Sequence, residues 1–294
     1  MNKIRLDTLL VERGMAESIA SAGAIIMSGS VYVGGRRAAV PGIWLDPGTG
    51  VEIRGKQEYV GKGGAKLEKA LSFFKVSPAG KVCLDCGAST GGFTDCLLKN
   101  GARLVYAVDV AYGQLAWSLR NDSRVVAMER TNVRYLKAGM FDAKPDLAVM
   151  DLSFISLRLI LPVVRDILAQ DGEAICLIKP QFEAGRDYVG KKGVVRDPQT
   201  HTTVLEAFML YAHESGYRVN GLTHSPLRGP EGNIEFFGWL SRGKNDRPRS
   251  EGTQDPQGLL DPQGLLDPQD PQGLLDPHDA SAAVEVAHKY FTGR

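Results

Sequence analysis

The sequence predicts an α/β fold in which an open, largely parallel β-sheet is covered by helices on both faces and follows a small α+β module. From about residue 58 to 242, apolar strand-like runs alternate with helical patterns. This alternation is typical of a parallel sheet that is buried on both faces. Residues 1–57 contain shorter elements, and the composition changes after residue 243. We therefore expect three parts, 1–57, 58–242 and 243–294.

The N-terminal part shows two short amphipathic helical patterns followed by brief alternating runs. The helices are expected over Leu6–Arg13 and Glu17–Ser28, and the strands at Val31–Val33 and Val51–Ile53. Gly-rich turns separate the two strands. Elements of these lengths, with a period near 3.6 followed by a period of 2, predict a small α+β module.

The second part repeats strand and helix in order. Strands are expected at VCLDCG, LVYAVDV, VVAME, DLAVMDL and EAICLIKP, and helices at about 93–99, 113–119, 157–169 and 200–215. The last two strand patterns, YRVNGLTHS and NIEFFGWL, have only residues 226–231 between them. Because parallel strands need a long crossover, this short connection predicts an antiparallel hairpin at the sheet edge.

The third part is a low-complexity tail. From Asp255 the hexapeptide DPQGLL recurs, and proline and glycine at this density prevent a helix or strand from propagating. We expect 243–278 to be a disordered acidic linker. Residues 280–291 are expected to form a short helix that docks on the domain or on a partner. A tail without function is the simpler interpretation, and it predicts that truncation after Gly243 leaves the fold intact.

The composition excludes several classes of protein. The 294 residues are 43% hydrophobic and 23% charged, and they contain neither a run of about 18 apolar residues nor an N-terminal signal pattern. Four cysteines are too few for a disulfide framework, and Cys83 and Cys86 lack a second pair for a zinc site. We therefore expect a cytoplasmic protein without a metal, in which these two cysteines pack in the core.

Charge is distributed unevenly along the chain. Residues 1–250 hold 33 Lys and Arg against 26 Asp and Glu, whereas 251–294 hold 2 against 8. The basic part is compatible with a polyanionic partner such as nucleic acid. A charge of this size is also common in proteins that bind no nucleic acid, so it decides little by itself.

A glycine-rich segment, LDCGASTGGF, follows the first strand of the second part and opens a helix. Its glycines allow a tight turn and a close approach of ligand to backbone. Asp109 lies 22 residues beyond Gly87, where an acid can accept hydrogen bonds from both ribose hydroxyls of a nucleoside cofactor. This spacing fits a dinucleotide or S-adenosylmethionine. The loop pattern, which is not G-x-G-x-x-G, and Asp85, an acid suited to a cationic ligand, favour S-adenosylmethionine.

Several longer motifs resemble one family. They are YVGKGGAKLEKAL, DCGASTGGFTDCLL, AVDVAYGQLAWSLRNDSRVV, ERTNVRYL, MDLSFISL, LIKPQFEAGR, KKGVVRDP and GPEGNIEF. Together they are similar to the TlyA family of hemolysin-named ribosomal RNA methyltransferases, within the FtsJ-type ribose methyltransferases. The resemblance implies an S4-type RNA-binding domain, a Rossmann-like S-adenosylmethionine domain, and 2′-O-methylation of ribosomal RNA, typically at cytidine. It also implies ribosomal RNA or ribosomal subunits as partners.

The same resemblance implies a catalytic tetrad. FtsJ-type enzymes use Lys, Asp, Lys and Glu, and the matching residues here are Lys66, Asp151, Lys179 and Glu235. A ribose hydroxyl holds its proton tightly, so an amine must be placed to take that proton as the methyl group moves. We expect Lys179 to take it, and Asp151 and Glu235 to orient the two lysines.

Further residues are assigned to the cofactor and to RNA. The expected cofactor-binding residues are Asp85, Gly87, Ser89, Thr90, Gly91, Gly92, Phe93, Asp109, Glu129 and Asn132. Asn132 is equally well explained as a helix N-cap. The expected RNA-binding residues are Lys3, Arg5, Arg13, Arg36, Arg37 and Lys62. Ile19 and Gly23 occupy places where family members usually carry a basic or amide side chain, and this departure predicts RNA binding that is weaker or altered in range.

Three other functions compete with this interpretation. A membrane-active hemolysin or cytolysin would leak liposomes, but the sequence shows no amphipathic membrane helix. A dehydrogenase would be stabilised by NAD, and the loop pattern disfavours it. A catalytically silent RNA-binding assembly factor would not need the tetrad, which is complete here.

Overall fold

The computed structural model describes residues 3–16, 18–27, 29–53, 58–242 and 277–293, with the backbone alone at 277 and 278. The chain divides into two compact units, Met1–Glu58 and Tyr59–Arg294. Each unit has its own hydrophobic core.

The N-terminal unit is a small α+β module, as the sequence predicts. The elements are β1 (Ile4–Arg5), α1 (Leu6–Glu12), α2 (Ile19–Met27), β2 (Val31–Val33), β3 (Arg36–Arg37), β4 (Trp44–Leu45) and β5 (Val51–Ile53). The three-stranded antiparallel sheet has the order β3-β2-β5, and β1 pairs with β4. Leu6, Leu10, Ile26 and Val31 form the centre of the core. Positions 17 and 28 of the second predicted helix lie outside the described residues.

The second unit is built on a seven-stranded sheet with helices on both faces. Its strands are β6 (Val82–Cys86), β7 (Leu104–Val108), β8 (Val125–Met128), β9 (Leu147–Met150), β10 (Glu173–Ile178), β11 (Tyr217–His224) and β12 (Phe236–Arg242). Its α-helices are α3 (Lys62–Phe74), α4 (Gly92–Lys99), α5 (Trp117–Arg120), α6 (Leu161–Ile167), α7 (Pro180–Glu183), α8 (Pro198–Glu214) and α9 (Pro277–Thr292).

The order of strands in this sheet is β11-β12-β10-β9-β6-β7-β8. Strands β6 to β10 are parallel, and β12 and β11 run antiparallel at the edge. The predicted hairpin is therefore confirmed. The chain leaves β6 toward β7 and β8 and later returns to place β9 on the other side of β6. Ligands of open α/β sheets bind at such a reversal, outside the carboxyl ends of the strands.

Two apolar layers cover the faces of the sheet. Alternate residues of β6 face opposite layers: Leu84 and Cys86 belong to the cluster that includes residues of α6, α8 and α9, whereas Cys83 belongs to the cluster that includes residues of α3 and α4. All four cysteines are buried and free. Burial raises the pKa of the Cys83 thiol to about 12, so this residue packs as a small apolar side chain, as the sequence predicts.

Two predicted helices are shorter than their sequence patterns. Of the helix expected over 113–119, only Trp117–Arg120 is α-helical, since Gly113 takes a left-handed φ of 73° and stays in the preceding loop. The helix expected over 157–169 is divided into a 3-10 turn, Leu157–Leu159, and α6. Pro162 lies in the first turn of α6, where its missing N–H costs nothing, but it could not continue a helix from the preceding turn.

The terminal helix α9 docks on the second unit. Ala280, Val284 and Ala287 are buried in the same cluster as residues of α8 and β11. His288 Nε2 lies 2.9 Å from His201 Nδ1, and the Tyr290 ring lies 4.7 Å from that of His224. The short helix expected over 280–291 is therefore present and docked, and whether it has a function stays a prediction. The helix begins at Pro277, inside the segment expected to be disordered, and the rest of that segment, 243–276, lies outside the described residues.

Within the described ranges, the helices are too short or too polar to cross a membrane.

Candidate active site

The four tetrad residues come from four separate elements. Asp151 directly follows β9 and Lys179 directly follows β10, so both lie at the carboxyl ends of parallel strands. Lys66 lies on α3, and Glu235 precedes β12. The residues are far apart in sequence, and the sheet brings them together at the reversal between β6 and β9.

The tetrad is arranged as two ion pairs. Lys66 Nζ lies 2.5 Å from Glu235 Oε2, and Lys179 Nζ lies 2.6 Å from Asp151 Oδ1. The Glu235 side chain is 1% exposed and that of Asp151 is 24% exposed. Lys179 Nζ also donates to Ser153 Oγ at 3.0 Å. The pair of Lys66 and Glu235 is thus the buried one, and the pair of Lys179 and Asp151 is the more accessible one.

Electrostatic coupling joins the two pairs. Burial raises the pKa of Glu235, while the charges of Lys66 and Lys179 oppose the shift and that of Asp151 adds to it. Glu235 Oε1 is buried and has no hydrogen-bond partner among the described residues. A Cβ on Gly229 would lie 2.5 Å from this oxygen, so the turn that contains Gly229 packs directly against the Glu235 carboxylate. The structure therefore brings all four predicted residues into one charged cluster.

The glycine-rich loop runs from β6 to α4 directly beside this cluster. Gly87 and Gly91 have left-handed φ values of 88° and 99°. A Cβ on Gly87 would lie 2.4 Å from the carbonyl oxygen of Asp151, and a Cβ on Gly91 would lie 2.2 Å from Leu119 Cδ1. Only glycine satisfies both constraints, because other residues rarely adopt this conformation and would also clash. Gly92 begins α4.

Asp109 holds the loop through its carboxylate. Its Oδ2 accepts a hydrogen bond from the Ser89 N–H at 2.7 Å, and its Oδ1 accepts from the Ala111 N–H at 2.7 Å. Each carboxylate oxygen can accept a second hydrogen bond. Asp109 is only half-buried, so its position at the end of β7 suits a ligand with two hydroxyl groups.

Asp85 lies completely buried on β6, beneath the loop. Its Oδ2 accepts a hydrogen bond from Thr94 Oγ1 at 2.7 Å, whereas its Oδ1 has no partner among the described residues. Burial raises the pKa of this carboxyl to about 7, and the Thr94 hydroxyl opposes the shift. A carboxyl group with an unpaired buried oxygen beside a glycine cradle fits a cofactor that carries positive charge.

The other expected cofactor residues differ in their surroundings. Glu129 accepts a hydrogen bond from the Gly113 N–H at 2.8 Å and pairs with Arg120, which lowers its pKa. Asn132 is exposed, and its Oδ1 accepts from the Arg134 N–H at 3.0 Å. The N-cap interpretation of Asn132 is therefore confirmed. Adenine contacts by these two residues stay predictions.

Thr90 and Phe93 lie where the loop meets α3. Thr90 Oγ1 would be 2.8 Å from a Cβ on Gly61, just before α3 begins. Phe93 is 3% exposed, and its ring packs at 6.4 Å from that of Phe237. The structure thus places Phe93 in the core under the loop, where its contacts are with the protein interior.

Exposed apolar side chains at this edge were not assigned from the sequence. Phe154 is 91% exposed and has a left-handed φ of 63°. Its ring lies 5.0 Å from that of Phe182, and the Phe182 ring lies 5.9 Å from Lys179 Nζ. Val110 is also exposed, directly after Asp109. The sequence signal that could have identified Phe154 is a large apolar residue in the loop that follows a predicted strand, where polar residues are more usual.

The expected RNA-binding residues of the N-terminal unit are largely exposed. Arg5 pairs with the buried Asp7 at 2.6 Å and lowers the pKa of that carboxyl, and Arg13 donates to the Pro47 carbonyl oxygen at 2.6 Å. Lys3, Arg36 and Arg37 are exposed, as is Lys62 at the start of α3 in the second unit.

The departure on α2 is visible in the structure. Ile19 and Met27 are 56% and 68% exposed, and Gly23 lies between them on the same helix face. Ile19 and Gly23 are the two positions where the resemblance leads us to expect a basic or amide side chain, and the helix instead presents an apolar residue and a glycine there.

The described ranges hold no group of three or more His, Cys, Asp or Glu side chains that could bind a metal ion.

Comparisons with known proteins agree with this geometry. Residues 59–242 match the model of the FtsJ-like methyltransferase family, and residues 4–51 match that of the S4 domain. The chain is 52% identical over 237 residues to the "Putative rRNA methyltransferase YqxC" of Bacillus subtilis, covering 80% of this chain and 84% of that protein. It is 45% identical over 247 residues to the 16S/23S rRNA (cytidine-2′-O)-methyltransferase TlyA of Mycobacterium tuberculosis, covering 83% and 92%.

A solved structure from Streptococcus thermophilus extends the likeness to the fold. That protein, described as a "Putative hemolysin", is 41% identical, and the match covers 100% of this chain and 98% of that one with a TM-score of 0.72. The shared domains and the identity to TlyA proteins lead to one assignment. The chain belongs to the TlyA group of the FtsJ-like methyltransferase family, with an S4 domain ahead of a Rossmann-like methyltransferase domain.

Proposed function

We propose that this protein transfers a methyl group from S-adenosylmethionine to a ribose 2′-hydroxyl of ribosomal RNA, at a cytidine. The observation that carries the proposal is the meeting of the Lys66–Glu235 and Lys179–Asp151 ion pairs beside a glycine cradle. The relative from Mycobacterium tuberculosis, named as a 16S/23S rRNA (cytidine-2′-O)-methyltransferase, supports the substrate and the atom that is modified.

The cofactor would lie along the glycine-rich loop. Asp109 would accept hydrogen bonds from the ribose hydroxyls, Val110 would contact the adenine, and the unpaired oxygen of Asp85 would offset the positive charge. When bound, S-adenosylmethionine supplies an electrophilic methyl group on a sulfonium. The contact between Gly87 and the backbone of Asp151 would set the distance from this site to the tetrad.

Lys179 is the residue placed to take the hydroxyl proton. Its Nζ lies at the accessible pair and also contacts Ser153. Lys179 would first release the proton of its ion-paired ammonium to solvent. As the 2′-oxygen takes the methyl group from the sulfonium sulfur, the hydroxyl proton would pass to the neutral Lys179 amine, and Asp151 would stabilise the ammonium ion that results. Lys66 is held by the buried Glu235, so it would orient the hydroxyl group instead. One amine therefore moves the proton and the other fixes the geometry.

Phe154 would hold the target base. Sequence-specific recognition of RNA mostly targets unpaired bases, which are commonly stacked on aromatic side chains. The exposed Phe154 ring, supported by Phe182, lies three residues after Asp151. A base stacked there would bring its ribose toward Lys179.

The partner would be ribosomal RNA, free or within ribosomal subunits. The S4 domain carries exposed basic residues suited to phosphate contacts, among them Lys3, Arg36 and Arg37. Such a substrate also implies a cytoplasmic location and no functional need for a membrane.

Transfer of tritium from labelled S-adenosylmethionine tests the proposal. Naked ribosomal RNA and assembled subunits are offered as substrates, and the modified ribose is mapped. We expect label on a cytidine 2′-oxygen with the wild type and none with Lys179→Ala. Binding without transfer would instead support a silent assembly factor. Leakage of liposomes would support a cytolysin, and stabilisation by NAD in place of S-adenosylmethionine would support a dehydrogenase.

A further inference from the structure

A largely buried acid behind the active site, Glu183, has no part in the chemistry proposed above. It is the last residue of α7, the short helix that begins directly after Lys179. Its Oε1 accepts a hydrogen bond from the Leu157 N–H at 2.9 Å, and its Oε2 accepts one from the Ser156 hydroxyl at 2.7 Å. The Tyr211 hydroxyl on α8 donates to Oε2 at 3.2 Å.

These hydrogen bonds explain how the acid is tolerated. Burial raises the pKa of Glu183, while the Leu157 N–H and the hydroxyl groups of Ser156 and Tyr211 oppose the shift. A buried carboxyl group is costly unless its oxygens are paired, and here both are paired. Two of the three donors belong to the segment that follows β9. Glu183 therefore fastens that segment to the one that follows β10.

Among the described residues, three kinds of side-chain contact join these two segments. The first is the contact of Lys179 with Asp151 and Ser153, and the second is the ring contact between Phe154 and Phe182. The third is the set of hydrogen bonds to Glu183, which includes no tetrad residue. This third contact can be changed without removing a group that would touch substrate.

The backbone conformation of Phe154 suggests what the hydrogen bonds to Glu183 stabilise. A left-handed φ of 63° is unfavourable at a residue with a large side chain, because its Cβ crowds the following carbonyl oxygen. Such a conformation persists only where the surrounding structure holds it. Ser156 and Leu157, the residues bound by Glu183, follow Phe154 by two and three positions. Their anchorage keeps the turn from relaxing and keeps the Phe154 ring exposed.

We propose that Glu183 is a positioning residue: by anchoring Ser156 and Leu157, it holds the turn that carries Asp151 and Phe154 in place against Lys179. Its effect on catalysis rests on the proposed function. Its effect on the turn is a property of the protein alone. The two can therefore be measured separately.

The experiment compares Glu183→Ala and Glu183→Gln in the full chain. Glu173→Ala is the matched control, because Glu173 begins β10, the strand that leads to Lys179 and α7, and pairs with Lys81 and Trp239 at the end of the strand away from Glu183. Methyl transfer to ribosomal RNA gives kcat and KM, calorimetry gives the affinity for S-adenosylmethionine, and hydrogen exchange of residues 152–158 reports the turn. The pH profile of kcat is recorded for each variant.

Loss of the carboxyl group should lower kcat about tenfold and raise KM for RNA, since about 1.4 kcal/mol of positioning is lost. Exchange over 152–158 should accelerate, and cofactor affinity should stay within about threefold. Glu183→Gln should recover most of the activity with an unchanged pH profile, because its amide oxygen can accept from Leu157 and both hydroxyl groups can reverse to accept from its NH₂. Glu173→Ala should resemble the wild type.

Wild-type kcat and exchange in Glu183→Ala would overturn the inference. A Glu183→Gln variant as inactive as Glu183→Ala, with a shifted pH profile, would also overturn it, because the acid would then act in proton transfer. If Glu183→Ala does not fold, Ser156→Ala and Tyr211→Phe decide, and wild-type rates and exchange in both would contradict the positioning role. A wild type that transfers no methyl group to RNA would contradict the proposed function, and the exchange data would still test the anchorage.

Discussion

Gly87 and Asp151 approach each other so closely that a Cβ on Gly87 would lie 2.4 Å from the Asp151 carbonyl oxygen. The glycine belongs to the proposed cofactor loop, and the aspartate belongs to the proposed tetrad. The distance between the two sites is therefore set by backbone against backbone, which cannot adjust as a flexible side chain can. This contact leads to the first prediction.

Gly87→Ala should weaken binding of S-adenosylmethionine at least about tenfold and abolish methyl transfer. The new methyl group would clash with Asp151, and a left-handed φ of 88° adds about 1 to 2 kcal/mol of strain. Gly80→Ala is the control, since its φ is 73° but the space around its Cβ is open. Calorimetry with the cofactor separates the clash from the strain, and equal affinity in both variants would contradict the role of the contact.

Lys179→Ala should abolish methyl transfer and leave the affinity for S-adenosylmethionine within a few-fold. The amine acts on the RNA hydroxyl group, so its loss removes the proton acceptor and not a cofactor contact. Lys81→Ala is the control, because that lysine also pairs with a carboxylate, Glu173, but at the other end of the sheet. Single-turnover rates with labelled cofactor make the measurement, and near-normal turnover would remove Lys179 from this role.

Cofactor binding should release protons near neutral pH. Burial raises the pKa of Asp85 to about 7, so this carboxyl is partly protonated in the free protein. A cationic ligand favours the carboxylate and lowers that pKa, so affinity should increase as pH rises from about 6 to 8. Calorimetry in buffers of different ionisation enthalpy counts the protons. Asp85→Asn should remove the release, and an unchanged proton count in that variant would show that another group titrates.

Docking of α9 should weaken as pH falls. Burial first, and then the charge of His288, lowers the pKa of His201 to about 4, and burial lowers that of His288 as well. The folded pKa lies below the unfolded value of about 6.5, so this stability is fully present above pH 6.5 and is lost as pH falls toward 4. The loss is on the order of 3 kcal/mol at most.

Hydrogen exchange of residues 279–292 at pH 7 and pH 5 measures that docking. His213 lies exposed on the same helix as His201, so the control variant His213→Gln should show the same change of exchange with pH as the wild type. Truncation before α9 should lower the melting temperature, since Ala280, Val284 and Ala287 are buried. Unchanged exchange and stability in these tests would restore the interpretation of α9 as a tail without function.

Binding to ribosomal RNA should depend steeply on salt. Arg36→Ala should reduce the slope of log affinity against log salt by roughly 0.7 to 0.9, because one phosphate contact releases its counterion. Arg103→Ala is the control. Arg103 is an exposed arginine directly before β7, so it lies at the amino ends of the parallel strands, away from the proposed active site at their carboxyl ends. A slope equal in wild type and Arg36→Ala would place the RNA on another surface.

Much of the fold follows from local patterns. The apolar runs that became β6, β7, β9 and β10 are continuous because these strands are buried on both faces. The glycine-rich loop is recognisable because its glycines serve a turn that begins and ends within a few residues. The helix expected over 113–119 is shorter than predicted, because Gly113 adopts a left-handed turn conformation that the helical pattern does not reveal.

The sequence by itself determined the S4 and FtsJ-like matches and the alternating strands and helices, and it predicted the proposed cofactor loop and the four proposed tetrad residues, since each of these is encoded in a contiguous motif. Only the tertiary structure decided which charges pair, how Phe154 is exposed, what Glu183 binds and where α9 docks. Lys66 and Glu235 are separated by 169 positions and still form a buried ion pair. Contacts of that kind depend on how the chain reverses between β6 and β9, and no local pattern encodes the distance between two side chains that meet only after the sheet has formed.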